Sequence, residues 1–139
     1  MRSRMSSTIC LDSDFIIMFL RGELDAKEKL QELIDNNEEI STTSINTFEI
    51  FVGIIAIEGI GSRRIRSTRQ FLDLLTVFDF SKSSSERAAG IYNTLKNAGT
   101  PIGLKDTLIA SIAMEENLTI LTRNLKHYSK IAGLKIETW

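Results

Sequence analysis

The 139-residue chain contains one cysteine, one proline and one histidine. A lone Cys10 excludes an intrachain disulfide framework and any cysteine-rich metal centre, and it fits a reducing cytoplasm best. No apolar run approaches the roughly 20 residues that a membrane-crossing helix needs, so no membrane association is expected, and nothing resembles a signal peptide. Repeats and low-complexity tracts are absent as well. Neither sign of charge dominates: 17 Lys and Arg stand against 18 Asp and Glu, giving a formal net charge of -1. That balance, with a pI near 5.9, argues against a uniformly basic coat for nucleic acid. A phosphate-bearing partner would have to be held locally.

What remains is an ordinary globular composition, 42% hydrophobic and 25% charged, in a length that suits one domain. Residues 1–7 read as a flexible polar tail and 8–139 as the domain. Apolar runs and turn signals alternate along it. Strands are expected at Thr8–Leu11, Glu39–Thr43, 76–80, 118–122 and 134–136. Helices are expected from residue 15, over 25–36, 45–57, 62–75, 81–97 and 106–117, and in a short piece over 124–130. Strands alternating with helices imply βαβ units, and hence an α/β fold with a mainly parallel central sheet between helical layers.

Such sheets bind ligands just beyond the carboxyl ends of their strands. The run Ile9-Cys10-Leu11-Asp12-Ser13-Asp14-Phe15-Ile16-Ile17 places Asp12 there, at a strand tip beside an apolar helix, where an unpaired charge is costly. Ser13 or Asp14 would suffice as the helix cap. On the next helix Phe48, Val52, Ile55 and Ala56 form a stripe expected to be buried, with Glu49 at its border. Glu49 also fits the third position of a capping box with Asn46 as the N-cap, which puts it in the first turn. Asp106 opens a helix whose face is Leu108, Ile109, Ile112 and Ala113, and Asn124 opens another; each alone reads as a cap.

Together the four polar residues share one sheet edge. Three like charges converging there would repel unless a divalent cation sat among them. Oxygen-only ligands suit Mg²⁺, with Mn²⁺ as the alternative, and such an ion can activate water and shield a phosphodiester. Four arginines, Arg63, Arg64, Arg66 and Arg69, read either as a phosphate grip or as a solvated helix face. Lys105 and Lys126 lie close enough to balance the acids. His127 reads as a packing or surface residue, and Thr122 as a strand-tip group able to orient water. Tyr92 is expected to face inward with Ala88, Ile91 and Leu95.

The ordered set Leu11-Asp12-Ser13-Asp14-Phe15-Ile16-Ile17, Phe48-Glu49-Ile50-Phe51-Val52-Gly53, Gly103-Leu104-Lys105-Asp106-Thr107-Leu108-Ile109-Ala110 and Leu121-Thr122-Arg123-Asn124-Leu125-Lys126-His127-Tyr128, closing on Gly133-Leu134-Lys135-Ile136-Glu137-Thr138-Trp139, resembles the PIN-domain ribonucleases of the VapC toxin type. The resemblance covers nearly the whole chain. It implies a three-layer α/β/α PIN-like fold and a Mg²⁺-dependent endoribonuclease, the toxin of a toxin-antitoxin pair, cutting RNA and blocked by a small antitoxin protein. On it Asp12 and Asp106 are the metal ligands, Glu49 completes the acidic cluster, and Asn124 stands where a number of relatives carry a fourth acid. An amide binds through oxygen but adds no charge, which favours one ion over two.

Exposed apolar residues on the helix pair over 51–75 are a seat for the antitoxin or for a second copy of the chain in a homodimer. Two other functions compete. One is a phosphatase with Asp12 as nucleophile and Asp14 as acid, although the threonine expected after such a pair is missing. The other is a non-catalytic module that keeps only the scaffold.

Overall fold

The computed structural model describes residues 8–139, and the tail expected at 1–7 lies outside the described residues. Five strands, β1 (Thr8–Leu11), β2 (Glu39–Thr43), β3 (Thr76–Phe78), β4 (Thr119–Leu121) and β5 (Lys135–Glu137), form one sheet in the order β3-β2-β1-β4-β5. Every pairing is parallel. Strand β1 lies in the middle, which is why Ile9, Cys10 and Leu11 are apolar without alternation: a central parallel strand is covered on both faces.

The helices are α1 (Ser13–Leu20), α2 (Leu24–Asp35), α3 (Ser44–Glu58), α4 (Arg63–Leu72), α5 (Lys82–Asn97), α6 (Leu104–Glu115) and α7 (Leu125–Tyr128). They divide between the two faces. Ile9 and Leu11 point to one side with Leu121, where they meet Phe15 and Ile16 of α1, Leu30 and Leu33 of α2, Ile50 of α3 and Leu72 of α4. Cys10 and Ile120 point to the other, against Leu95 of α5, Ile109, Ala110 and Ala113 of α6, and Tyr128 of α7. The expected three layers are present.

Chain order fixes where a site belongs. Strands β1 to β3 advance toward one edge, and the connection through α5 and α6 then returns to β4 on the far side of β1. The direction of winding reverses between β1 and β4, and a crevice opens outside their carboxyl ends. Asp12 and Thr122 are the residues immediately beyond those two strands; Asp12 N–H donates to the Leu121 carbonyl at 3.1 Å and Thr122 N–H to the Glu137 carbonyl at 2.9 Å. The site therefore stands on the end of the hydrogen-bonded ladder.

Two expectations about packing are corrected. The stripe Phe48, Val52, Ile55 and Ala56 is the exposed side of α3, with Phe48 61% accessible, and the inward side carries Asn46 and Ile50. Helix α3 is apolar nearly all round, so a 3.6-residue count finds two stripes and cannot rank them. Tyr92 faces out, while Ala88 and Leu95 are buried. Element boundaries differ by a few residues: α1 begins at Ser13 rather than 15, and α6 at Leu104 rather than 106.

Candidate functional site

Asp12 is the residue that joins β1 to α1. It is itself the N-cap of α1, its Oδ1 accepting from Ser13 N–H at 2.9 Å, so neither Ser13 nor Asp14 is needed for that task. Oδ1 also accepts from the Asn46 amide at 2.9 Å, and Oδ2 accepts from the Thr122 hydroxyl at 2.7 Å. All three donors are neutral. Among the described residues no basic side chain pairs with Asp12, and burial, helped by the nearby Asp14 charge, outweighs these hydrogen bonds and pushes its carboxyl up to about 6. Asp14, half-buried, is tied elsewhere: its oxygens accept from Phe15 N–H at 2.7 Å and from Arg123 N–H at 2.9 Å.

Helix α3 supplies the next group. Its N-cap is Thr43, whose hydroxyl accepts from Asn46 N–H, so the expected capping box of Asn46 and Glu49 is not formed. Asn46 is instead the third residue of the helix and Glu49 lies in the second turn. Asn46 is wholly buried. Its Oδ1 accepts from the Thr43 hydroxyl at 2.7 Å, and its Nδ2 donates at 2.9 Å to Asp12 and at 2.9 Å to Ser13 Oγ. The Ser13 hydroxyl in turn donates to Glu49 Oε1 at 2.6 Å. Lys105, at the start of α6, closes on Glu49 Oε2 at 3.1 Å, the charge balance expected of it. Sequence reasoning missed Asn46 and Ser13 as site residues; the available signal was that Asn46 shares a helix face with Ile50, four residues on.

The second half of the site is built on α6 and the β4–α7 turn. Asp106 is the third residue of α6 and caps nothing, since α6 has no side-chain cap bond. Its Oδ2 receives Asn124 Nδ2 at 2.9 Å and lies 2.7 Å from His127 Nδ1. The Tyr128 hydroxyl approaches Oδ1 at 3.4 Å. His127 is thus a partner of the site and not a bystander: the short helix α7 folds back over α6, a tertiary contact that no local pattern announces. Tyr128 is buried, and desolvation together with the charges of Asp12 and Asp106 drives its hydroxyl well above the usual tyrosine range.

Thr122 links the halves. Its Oγ1 donates to Asp12 and accepts from Asn124 N–H at 2.9 Å. The four expected residues are consequently brought together in one hydrogen-bonded array, Glu49 through Ser13 and Asn46 to Asp12, and Asp12 through Thr122 and Asn124 to Asp106. The array differs from the expected direct convergence of three acids. Among the described residues no three His, Cys, Asp or Glu side chains stand close enough to hold one ion between them.

Arg64 pairs with Glu58 at 3.1 Å and Arg66 reaches the Gly61 carbonyl. Arg63 and Arg64, but not Arg66 or Arg69, line a cavity of about 480 Å³ between α1, α3 and α4, together with Ile17, Leu20, Ile54 and Glu49.

The chain matches the family model described as the PIN domain over residues 9–134. It is 29% identical to the tRNA(fMet)-specific endonuclease VapC of Salmonella typhimurium, an alignment that covers 93% of this chain and 96% of that protein. It is 32% identical to the ribonuclease VapC3 of Methanocaldococcus jannaschii over 73% of this chain and 94% of the relative. Among solved structures, VapBC2 of Rickettsia felis, bound to a DNA fragment from its promoter, superposes with a TM-score of 0.79 at 26% identity, covering 95% of this chain and 98% of that one. The parallel sheet, the acids at its switch point and these matches agree: the chain belongs to the PIN-domain family, in its VapC group.

Proposed function

We propose that the protein is a metal-dependent endoribonuclease and the toxin half of a toxin-antitoxin pair. The observation that carries this reading is Asp12, a buried carboxylate at the sheet's switch point with three neutral donors and no counter-charge among the described residues. Such a group calls for a cation. The donors facing the edge are hard oxygens of carboxylates, amides and hydroxyls, which is the set that Mg²⁺ and Mn²⁺ prefer. Mg²⁺ is commonly held by one or two carboxylates with water completing its shell. Asp12 and Asp106 would hold it; when bound, it supplies Lewis acidity and a water of lowered pKa.

This chain's own groups do the rest. Asn46, Ser13 N–H and Thr122 fix the Asp12 oxygens, while Asn124, His127 and Tyr128 fix those of Asp106. Glu49 is linked to Asp12 through the Ser13 hydroxyl and the Asn46 amide, and it serves as the carboxylate that takes a proton from an attacking water. Lys105, half exposed beside it, is placed to meet a substrate phosphate. The names of relatives, a tRNA(fMet)-specific endonuclease and a ribonuclease, support RNA as the substrate class. The exposed apolar side of α3, with Phe48, Val52 and Ile55, is assigned to protein partners, a second copy of the chain and an antitoxin helix.

No observation favours the phosphatase reading: both oxygens of Asp14, the acid it requires, are held by main-chain N–H groups. The test is incubation of the purified chain with total RNA and with tRNA. Cleavage should require Mg²⁺ or Mn²⁺, stop with chelator, and be lost in Asp106→Asn with the melting curve retained. Equal cleavage by Asp106→Asn would refute the reading.

A further inference from the structure

Resting on the nuclease reading, we propose that Asn46 is a positioning residue that locks Asp12 and, through Ser13, Glu49 into one rigid array. The carboxamide is completely buried, and every polar bond it forms is to the site or to its own helix cap. Its orientation is set from behind: the Thr43 hydroxyl donates to Oδ1, which obliges Nδ2 to point forward. One amide nitrogen then donates to two acceptors, Asp12 Oδ1 and Ser13 Oγ, both at 2.9 Å.

That second bond has a chemical consequence. With its lone pair engaged by Asn46, the Ser13 hydroxyl is directed to donate, and its proton lies toward Glu49 Oε1 at 2.6 Å. The direction of the whole chain, from Thr43 through Asn46 and Ser13 to Glu49, is therefore determined by a strand-tip threonine. Among the described residues, the other oxygen of Glu49 meets only Lys105, which is half exposed. Its firm anchor is Ser13. Without Asn46 the serine hydroxyl is free to rotate, Asp12 loses one of its three donors, and the two carboxylates lose their common reference.

Asn46→Ala and Ser13→Ala test this, the second sparing the Asn46 bond to Asp12. Two readouts are taken: single-turnover RNA cleavage across RNA concentrations, and the rise in melting temperature on titrating MnCl₂ without RNA. Removal of a group that orients metal-site carboxylates costs about 10- to 100-fold in ion affinity or activity, so cleavage by Asn46→Ala should fall in that range with half-saturating RNA little changed. The manganese midpoint should move to higher concentration. In Ser13→Ala the cleavage step should fall as well, and adding Ser13→Ala to Glu49→Gln should cost nothing further, because the serine acts through the glutamate.

Cleavage by Asn46→Ala at the parent's rate with the parent's manganese midpoint overturns the proposal. So does independent multiplication of the Ser13→Ala and Glu49→Gln effects. Should Asn46→Ala fail to fold, Ser13→Ala decides. If the parent cuts no RNA, the nuclease reading falls by itself, and the manganese midpoints of parent and Asn46→Ala still decide the positioning claim. A parent whose melting temperature manganese does not move overturns both.

Discussion

The Thr122 hydroxyl donates to Asp12 Oδ2 at 2.7 Å across 110 residues of sequence. This one bond joins the tips of β1 and β4, and with Asn124 N–H donating to the same hydroxyl it fixes the spacing of the two halves of the site.

Replacing Thr122, wholly buried, by Val preserves shape and removes both bonds. It leaves the Asn124 N–H and one Asp12 oxygen without their partner, and stranding a buried polar group costs roughly 1 to 3 kcal/mol. Urea unfolding should show a lower midpoint with unchanged slope. Thr122→Ser, which keeps the hydroxyl, should recover most of the loss.

The raised Asp12 carboxyl gives the metal-free protein an inverted pH response. Its folded value is about 6 against an ordinary 3.8, so the folded state holds the proton more tightly than the unfolded chain. The associated stability is complete below about pH 4 and disappears as pH rises through about 6, and a shift of this size corresponds to roughly 3 kcal/mol. With chelator present, the parent should lose melting temperature between pH 4 and pH 7 relative to Asp12→Asn. Identical pH profiles for the two proteins would contradict the burial argument.

The exposed side of α3 makes a separate prediction. Phe48, Val52 and Ile55 are apolar and accessible, whereas exposed apolar clusters of this kind mark contact surfaces. Val52→Glu should leave the melting temperature within about 0.5 kcal/mol equivalent of the parent while weakening self-association at least about tenfold, as read by sedimentation. Unchanged association would move the partner surface elsewhere.

Much of this molecule was legible in its residues. Ile9-Cys10-Leu11 followed by Asp12 reads as a buried strand ending in a carboxylate, and that is what the sheet contains. The edge that gathers Asp12, Glu49, Asp106 and Asn124 follows from parallel topology alone. Helix α3 carries apolar residues on both faces, and its neighbours α1, α4, α6 and β2 choose between them, a choice that spacing along one helix does not contain. Asn46 reads as an N-cap in the sequence because polar residues near a helix start usually are caps; its burial is a tertiary fact. His127 is brought to Asp106 by the fold of α7 over α6, across 21 residues, which spacing does not encode.

The central claim is that the buried Asp12 charge is met by a divalent cation shared with Asp106. It is tested most directly by thermal unfolding of the parent, Asp12→Asn and Asp106→Asn at pH 7.5 across a MnCl₂ or MgCl₂ titration. The parent should gain stability with ion concentration, by about 2.7 kcal/mol at 100 times its dissociation constant, and both variants should gain little. An equal gain in all three proteins, or none in the parent, would contradict the account.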